Sequence, residues 1–454
     1  MTDAPAGPAL RDIRLDRRAG SPLYRQVAAR IEASIRDGTL PPGTRLPSSR
    51  SLASQLAVAR ATIEQAYQML AGDGYVEGRA AAGTIVARRL DAGRLPAAKQ
   101  KAATRQVILP GAMTVGISAF QMGVPAFDAF PRKLWARLAA RAARNLSPAQ
   151  MTYQDPTGHE PLRREIVRYL AISRGIACSI DQVFITAGFL GALALITRTL
   201  LKPGDPVWIE DPAYFFGRAA LALAGAKLVP VPIDGDGLDI AAGLERAAEA
   251  KFALVTPTNQ FPLGVSLAAS RRVALLSWAN ATGAWIIEDD YDSEFRYRGP
   301  PMPALKSIDA NGRVLYAGTF SKVLFPALRL GYLVVPETEI ERFARSMALL
   351  LPHQSLLDQM TVTAFMAEGH FSRHIARMRG LYGERRAALL RALEALPGAR
   401  SPVEVQAGGM HVRWCGSKRD ATTSRQRREP SPSGWRRKRC RRSAWNARAG
   451  RACC

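Results

Sequence analysis

Apolar side chains recur four apart at Leu23, Val27, Ile31 and Ile35, a spacing that predicts a helix buried along one stripe. Pro41-Pro42-Gly43 ends that unit, and Ser48 is placed to cap a second short helix carrying Leu52 and Leu56. A third helix, over about residues 60–71, gathers Ile63, Ala66, Tyr67 and Leu70 on one face. Two short strand-like runs follow, Tyr75-Val76-Glu77 and Thr84-Ile85-Val86, around residues 78–83. Three helices and a small hairpin predict a winged helix-turn-helix over residues 20–87. Residues 88–112 mix Arg, Lys, Ala, Gly and Pro with neither period and read as a linker.

From residue 113 the pattern changes to short apolar runs alternating with helical stretches. Candidate strands are 183–187, 207–210, 227–232, 252–256, 285–288, 314–318 and 331–335. Most are continuously apolar, as strands covered on both faces are. Stretches such as 268–282 read as crossover helices, so the expected body, residues 113–413, is α/β with a mostly parallel sheet. Helical periodicity resumes beyond Pro336 to about Leu396, predicting a smaller flanking domain. Met410-His411-Val412-Arg413 reads as a strand entering a domain that the following residues do not continue, so the small domain is expected to be incomplete.

With 454 residues, the chain is long enough for two or more domains, each burying its own core. The first twenty residues lack the apolar segment of a secretory signal, and the apolar stretch 190–201 is broken by Arg198. A cytoplasmic location is therefore the expectation. The net charge of +25 points to nucleic acid, but it is unevenly spread. Residues 415–454 hold 13 Lys and Arg against 2 Asp and Glu, and four of the five cysteines. Cys178 alone lies in the body, which argues against a disulfide framework and fits a reducing compartment. The tail from 414 has no apolar period. Basic arms that bind nucleic acid seldom carry four cysteines and three tryptophans, so a frame-shifted or disordered end is expected.

Lys322, in Gly318-Thr319-Phe320-Ser321-Lys322, follows one candidate strand, and Glu288-Asp289-Asp290-Tyr291 ends another. The two strands would bring an amine and a carboxylate to one sheet edge. Pyridoxal phosphate requires that pair: a lysine for its aldehyde and an acid for its pyridinium nitrogen. Taken alone, Lys322 reads as a solvated surface charge, and Asp289 as a strand-end carboxylate satisfied by backbone; it is their company that points to the cofactor. Ala187-Gly188-Phe189-Leu190 follows a strand and opens an apolar helix, so its amides can cradle an anion. Thr319 and Ser321 add hydroxyls, and Arg329 adds a guanidinium suited to phosphate.

Front module and body together resemble the MocR family of bacterial regulators, which join a GntR-type winged helix to a fold-type-I aminotransferase-like domain. The resemblance covers about residues 20–413. It implies pyridoxal 5'-phosphate as cofactor, held by Lys322, with Asp289 at the pyridinium nitrogen and Tyr291 at the phenolic oxygen. It also implies that Tyr214, in Glu210-Asp211-Pro212-Ala213-Tyr214, stacks on the ring. Tyr153 resembles the tyrosine that reaches a neighbouring subunit's phosphate, which implies a homodimer. Gly188, Phe189, Thr319, Ser321 and Arg329 complete the phosphate site, and Asn259 is a cofactor neighbour standing where histidine is common. Leu46-Pro47-Ser48-Ser49-Arg50 and Arg60-Ala61-Thr62 match the GntR-type helix-turn-helix. By that likeness Arg45, Ser48, Arg50, Arg60 and Thr62 face a double-stranded DNA operator, with Gly78 opening the wing. Solvated surface arginines are the alternative.

The chain departs from the family at several points. Ala57 replaces the expected turn glycine, Ala59 the capping serine, and Ala81-Ala82 a Gly-Ser pair. Positions 189 and 190 are usually smaller and more polar. The tail offers no context for the arginine that clamps a substrate carboxylate, so none is assigned. The reading that results is a pyridoxal-phosphate-dependent transcriptional regulator sensing the cofactor, an amino compound, or both. Two alternatives stay open: an active aminotransferase with an appended DNA-binding module, and a product made non-functional by its altered end.

Overall fold

The computed structural model describes residues 15–17, 19–79, 83–87, 121, 123–299, 302–350, 354–395, 403–404, 407–410 and 413–414. The chain divides into two compact units, Met1–Met113 and Thr114–Cys454. The expected linker, wing residues 80–82 and the tail beyond 414 lie outside the described residues.

The first unit packs helices Leu23–Arg36, Ser49–Gln55 and Arg60–Gly72 beside a hairpin of β1 (Val76–Arg79) and β2 (Gly83–Val86). Val27, Ile31, Leu52, Ile63 and Ala66 are wholly buried between them. Leu23, expected in the stripe, is only half-buried, and Ala28 joins the core in its place. The second helix stops at Gln55, leaving Leu56 as its C-cap. The next residue, Ala57, has φ +50, and a left-handed residue cannot continue a right-handed helix.

The second unit is built on an eight-stranded sheet. Its strands are β3 (Val183–Thr186), β4 (Pro206–Asp211), β5 (Lys227–Asp234), β6 (Gly237–Leu238), β7 (Phe252–Val255), β8 (Trp285–Asp290), β9 (Val314–Thr319) and β10 (Gly331–Val334). All seven expected strands are present; β6, two residues long, has no legible period. The order is β3-β10-β9-β8-β7-β4-β5-β6, with β10 antiparallel to both neighbours and β9, β8, β7, β4 and β5 mutually parallel. Because β10 runs opposite to both β3 and β9, those two point the same way. The carboxyl ends of β3, β4, β7, β8 and β9 therefore share one edge with the amino end of β10. In open α/β sheets ligands lodge at that edge.

Helices Ile340–Leu350, Leu356–Ala367 and His370–Glu394 follow Pro336. The sequence suggested a flanking domain here; among the described residues, their apolar side chains cluster with those on the sheet. Phe343 and Met347 join the cluster around Phe184, Leu193 and Leu333, while Val362, Phe365 and Phe371 join that around Leu162, Tyr316 and Tyr332. Their apolar residues continue the layers on the sheet, and burial against an existing core is cheaper than nucleating a second one.

Candidate functional site

Strand β8 carries three consecutive acids, and side-chain alternation separates their fates. Glu288 accepts from the Leu305 and Lys306 amides, both at 2.8 Å. Asp290 accepts from the Tyr316 hydroxyl at 2.6 Å and lies 2.7 Å from Arg174 Nε, a pair only 4% and 3% exposed. Asp289 turns to the other face. It lines a small cavity with Phe189, Glu210, Tyr214, Arg218 and Thr256. Its Oδ1 is buried without a hydrogen-bond partner, so the backbone does not satisfy this oxygen. Burial, with Asp290 and Glu210 nearby, holds the Asp289 carboxyl well above its usual range. A buried acceptor of this kind suits an N–H donor on a cationic ring.

Lys322 follows β9 at the same edge. Its Nζ donates to the Gly123 carbonyl at 2.7 Å. Gly123 has φ +74, and a Cβ there would sit 2.5 Å from the amine, so the glycine permits this approach. Burial lowers the Lys322 ammonium pKa, against the opposing pull of Asp292 and Asp289. A buried lysine amine loses its proton more readily and so becomes a better nucleophile.

The anion cradle is assembled from three strand ends. Gly188, φ +70, opens the helix Gly188–Leu200 directly after β3. Gly331 packs against it so closely that an added Cβ would lie 2.8 Å from Gly188 Cα. Thr319 Oγ1 donates to Ser321 Oγ at 3.1 Å and accepts from the Ser321 amide, so the two hydroxyls sit together. Arg329, exposed and left-handed at φ +49, precedes β10 at this edge. First-turn amides, paired hydroxyls and a guanidinium form a donor set that fits phosphate.

Tyr214 occupies the N-cap position of the helix Phe215–Leu223 after β4, with no side-chain capping bond. Its ring is held by Phe189, Phe216 and Phe261, with centroids at 6.2, 5.7 and 5.8 Å. The Tyr291 hydroxyl donates to the Asn259 carbonyl at 2.9 Å and accepts from Asn259 Nδ2 at 3.3 Å. That amide also donates to both Asp292 oxygens, at 3.1 and 2.9 Å. Arg272 donates to the carbonyls of Pro257, Leu267 and Pro303, fixing the loop that carries Asn259. Tyr153 is 98% exposed.

Sequence reasoning did not single out Glu210, Asp292 or Gly123. Glu210 accepts from the Thr256 amide and hydroxyl and from Gln260, yet burial raises it to about 7. Its place one residue before the Asp-Pro-Ala-Tyr segment was the available signal. Gly123 carried none, because only the chain's return over Lys322 gives it a role.

In the first unit, Ser48 Oγ accepts from the Ser51 amide at 3.2 Å, capping the second helix, on which Arg50 is exposed. Arg60 opens the third helix and lies 2.7 Å from Glu64. Thr62, two residues along, is half-buried, its amide donating to the Ala59 carbonyl. Arg45 is exposed and bridges Ile85 through its backbone, with its guanidinium beside Gly83; Gly78 is exposed on β1. All five polar residues and Gly78 thus belong to the helix-turn-helix and hairpin. Ala59 occupies the N-cap position with no side-chain bond.

Residues 23–86 match the family model for bacterial regulatory proteins of the gntR family, and residues 119–425 match that for aminotransferase class I and II. The chain is 40% identical over 381 residues to the "Probable rhizopine catabolism regulatory protein MocR" of Rhizobium meliloti, covering 82% of this chain and 77% of that protein. It is 34% identical over 390 residues to the pyridoxine biosynthesis transcriptional regulator PdxR of Corynebacterium glutamicum, covering 85% and 82%. Among solved structures, the kynurenine aminotransferase of Pyrococcus horikoshii superposes with a TM-score of 0.58 at 30% identity, over 63% of this chain and 72% of that one.

Proposed function

Since the chain belongs to the MocR-type regulators, in which a gntR-family unit precedes an aminotransferase class I and II unit, we infer that it is a pyridoxal-phosphate-dependent, DNA-binding transcriptional regulator. The observation that carries this reading is the buried, unpartnered Oδ1 of Asp289 at the sheet edge that also presents Lys322. When bound, the cofactor supplies an aldehyde, an electron-withdrawing ring and a phosphate. Lys322, its amine favoured by burial, would hold the aldehyde carbon. Asp289 would keep the proton on the ring nitrogen, while Tyr214 covers the ring face and Tyr291 and Asn259 stand at the ring oxygen. Gly188, Phe189, Thr319, Ser321 and Arg329 would hold the phosphate, joined by Tyr153 of a second copy in a homodimer.

In the finer reading, an amino compound competes with Lys322 for the aldehyde carbon. Its preference for one of two conformations of the chain then shifts operator binding. Residues 20–87 are assigned to DNA binding and 113–413 to the cofactor, in a protein working in the cytoplasm. No helix among the described residues is long and apolar enough to cross a membrane.

Titration with pyridoxal phosphate tests the reading. A visible absorbance band should grow in the wild type and be absent in Lys322→Ala, which should still bind operator DNA. An unchanged band in the variant overturns the lysine assignment.

A further inference from the structure

Asp292 has no place in the cofactor contacts above, yet it is among the most deeply buried carboxylates of the molecule, 2% exposed. Its Oδ1 accepts from Asn259 Nδ2; its Oδ2 accepts from Asn259 Nδ2 and, at 3.0 Å, from the Met410 amide. That amide belongs to a segment far along the chain, Ala407-Gly408-Gly409-Met410. The segment lies flat along residues 295–298. The Gly409 amide donates to the Phe295 carbonyl at 2.7 Å, and the Tyr297 and Arg298 amides donate to the Ala407 carbonyl at 2.9 and 3.1 Å.

Both glycines are required for so close a fit. Gly409 has φ +86, and a Cβ there would run into the Asn259 side-chain amide. A Cβ on Gly408 would lie 3.0 Å from the Phe295 carbonyl oxygen. The segment thus rests directly on Asn259, whose Nδ2 also donates to the Tyr291 hydroxyl at 3.3 Å. On its other side, the Asp292 charge acts on the Lys322 amine. Asp292 therefore stands between the groups that face the cofactor and the backbone of residues 407–410.

We propose that residues 407–410 form a strap over Asn259, and that Asp292 is the positioning residue that ties this strap to the cofactor site. Docking of the strap fixes Asp292 and Asn259, and through them the Tyr291 hydroxyl. Cofactor binding, which uses that hydroxyl, must by reciprocity hold the strap down. Burial raises the Asp292 carboxyl to about 7, opposed by its bonds from Asn259 and Met410, so the charged form depends on the strap's amide. The proposal rests on the cofactor reading above and deepens it.

Hydrogen exchange on the full chain, with and without pyridoxal phosphate, separates the two claims. In the wild type the cofactor should slow exchange of the Gly409 and Met410 amides while the visible band forms. Asp292→Asn should speed exchange at Met410 by about tenfold without cofactor, the equivalent of one lost charge-assisted hydrogen bond, and abolish the cofactor-induced slowing. Gly409→Ala keeps Lys322 and Asp292 in the chain but drives a Cβ into the Asn259 side-chain amide, lifting the strap off it; it should raise the Kd for pyridoxal phosphate by about tenfold. A visible band with no change in exchange at 409–410, or an unaltered Kd in Gly409→Ala, overturns the strap. Absence of the band in folded wild type overturns the cofactor reading instead.

Discussion

Asp289, Glu210 and Asp292 are carboxylates within one buried neighbourhood, and their differences come from what each is given to bind. Glu210 has three donors and Asp292 two, while Asp289 keeps a buried oxygen with none. That asymmetry is what separates a group held ready for a ligand from groups that serve the scaffold. It also has a pH signature. The Glu210 carboxyl is raised from 4.5 to about 7, chiefly by burial. Its neutral form is favoured in the folded state, so its contribution is complete below 4.5 and is lost as pH rises through about 7. The melting temperature of the cofactor-free protein should fall over that interval, and Glu210→Gln should flatten the fall. A slope unchanged in the variant would clear Glu210. Among the charged pairs, Arg174 and Asp290 are both buried, so Arg174→Leu should destabilise the protein by about 3–5 kcal/mol in denaturant unfolding. A loss below about 1 kcal/mol would show that water reaches Asp290.

At the scale of elements, the periodic helices and the apolar strands were legible because burial on one face or both leaves a pattern in the residues. Ile63, Ala66, Tyr67 and Leu70 were read as one face and are all buried. The limits were less legible where a local rule is broken. Ala57 takes a left-handed conformation that glycine would adopt without strain, and Ala59 leaves the third helix uncapped. Ala59→Ser should add a cap and stabilise the first unit by about 0.5–2 kcal/mol, seen as slower hydrogen exchange over residues 60–72 in the full chain. Unchanged exchange there would mean that the helix N-terminus is already satisfied by other groups. The strand β6 and the fusion of the helices after Pro336 with the sheet core left no such pattern, since each depends on what it packs against.

For the whole molecule, the winged-helix unit and the cofactor unit serve one purpose only if DNA binding is electrostatically real. Arg60 and Glu64 form a surface pair worth at most about 0.5 kcal/mol, so the guanidinium is readily given up to a phosphate. Arg60→Ala should weaken operator binding and reduce its salt dependence by about one phosphate contact. An unaltered slope would remove Arg60 from the interface. Tyr153, 98% exposed, is the residue proposed to reach the phosphate site of a second copy. Tyr153→Phe should weaken pyridoxal phosphate binding without changing the stability of the monomer, measured by titration beside denaturant unfolding; equal affinity would exclude it from a partner's site. Sequence alone determined the two-part plan and the seven longer strands, because these follow from local period and from motifs contiguous in the chain, while Lys322, Asp289 and Tyr214 were nominated by the family resemblance. The tertiary structure decided which of three adjacent acids faces the ligand edge, that Gly123 covers Lys322, and that Met410 closes on Asp292. Those contacts join residues far apart in sequence, and only the direction of β10 and the return of the chain over the sheet edge bring them within bonding distance.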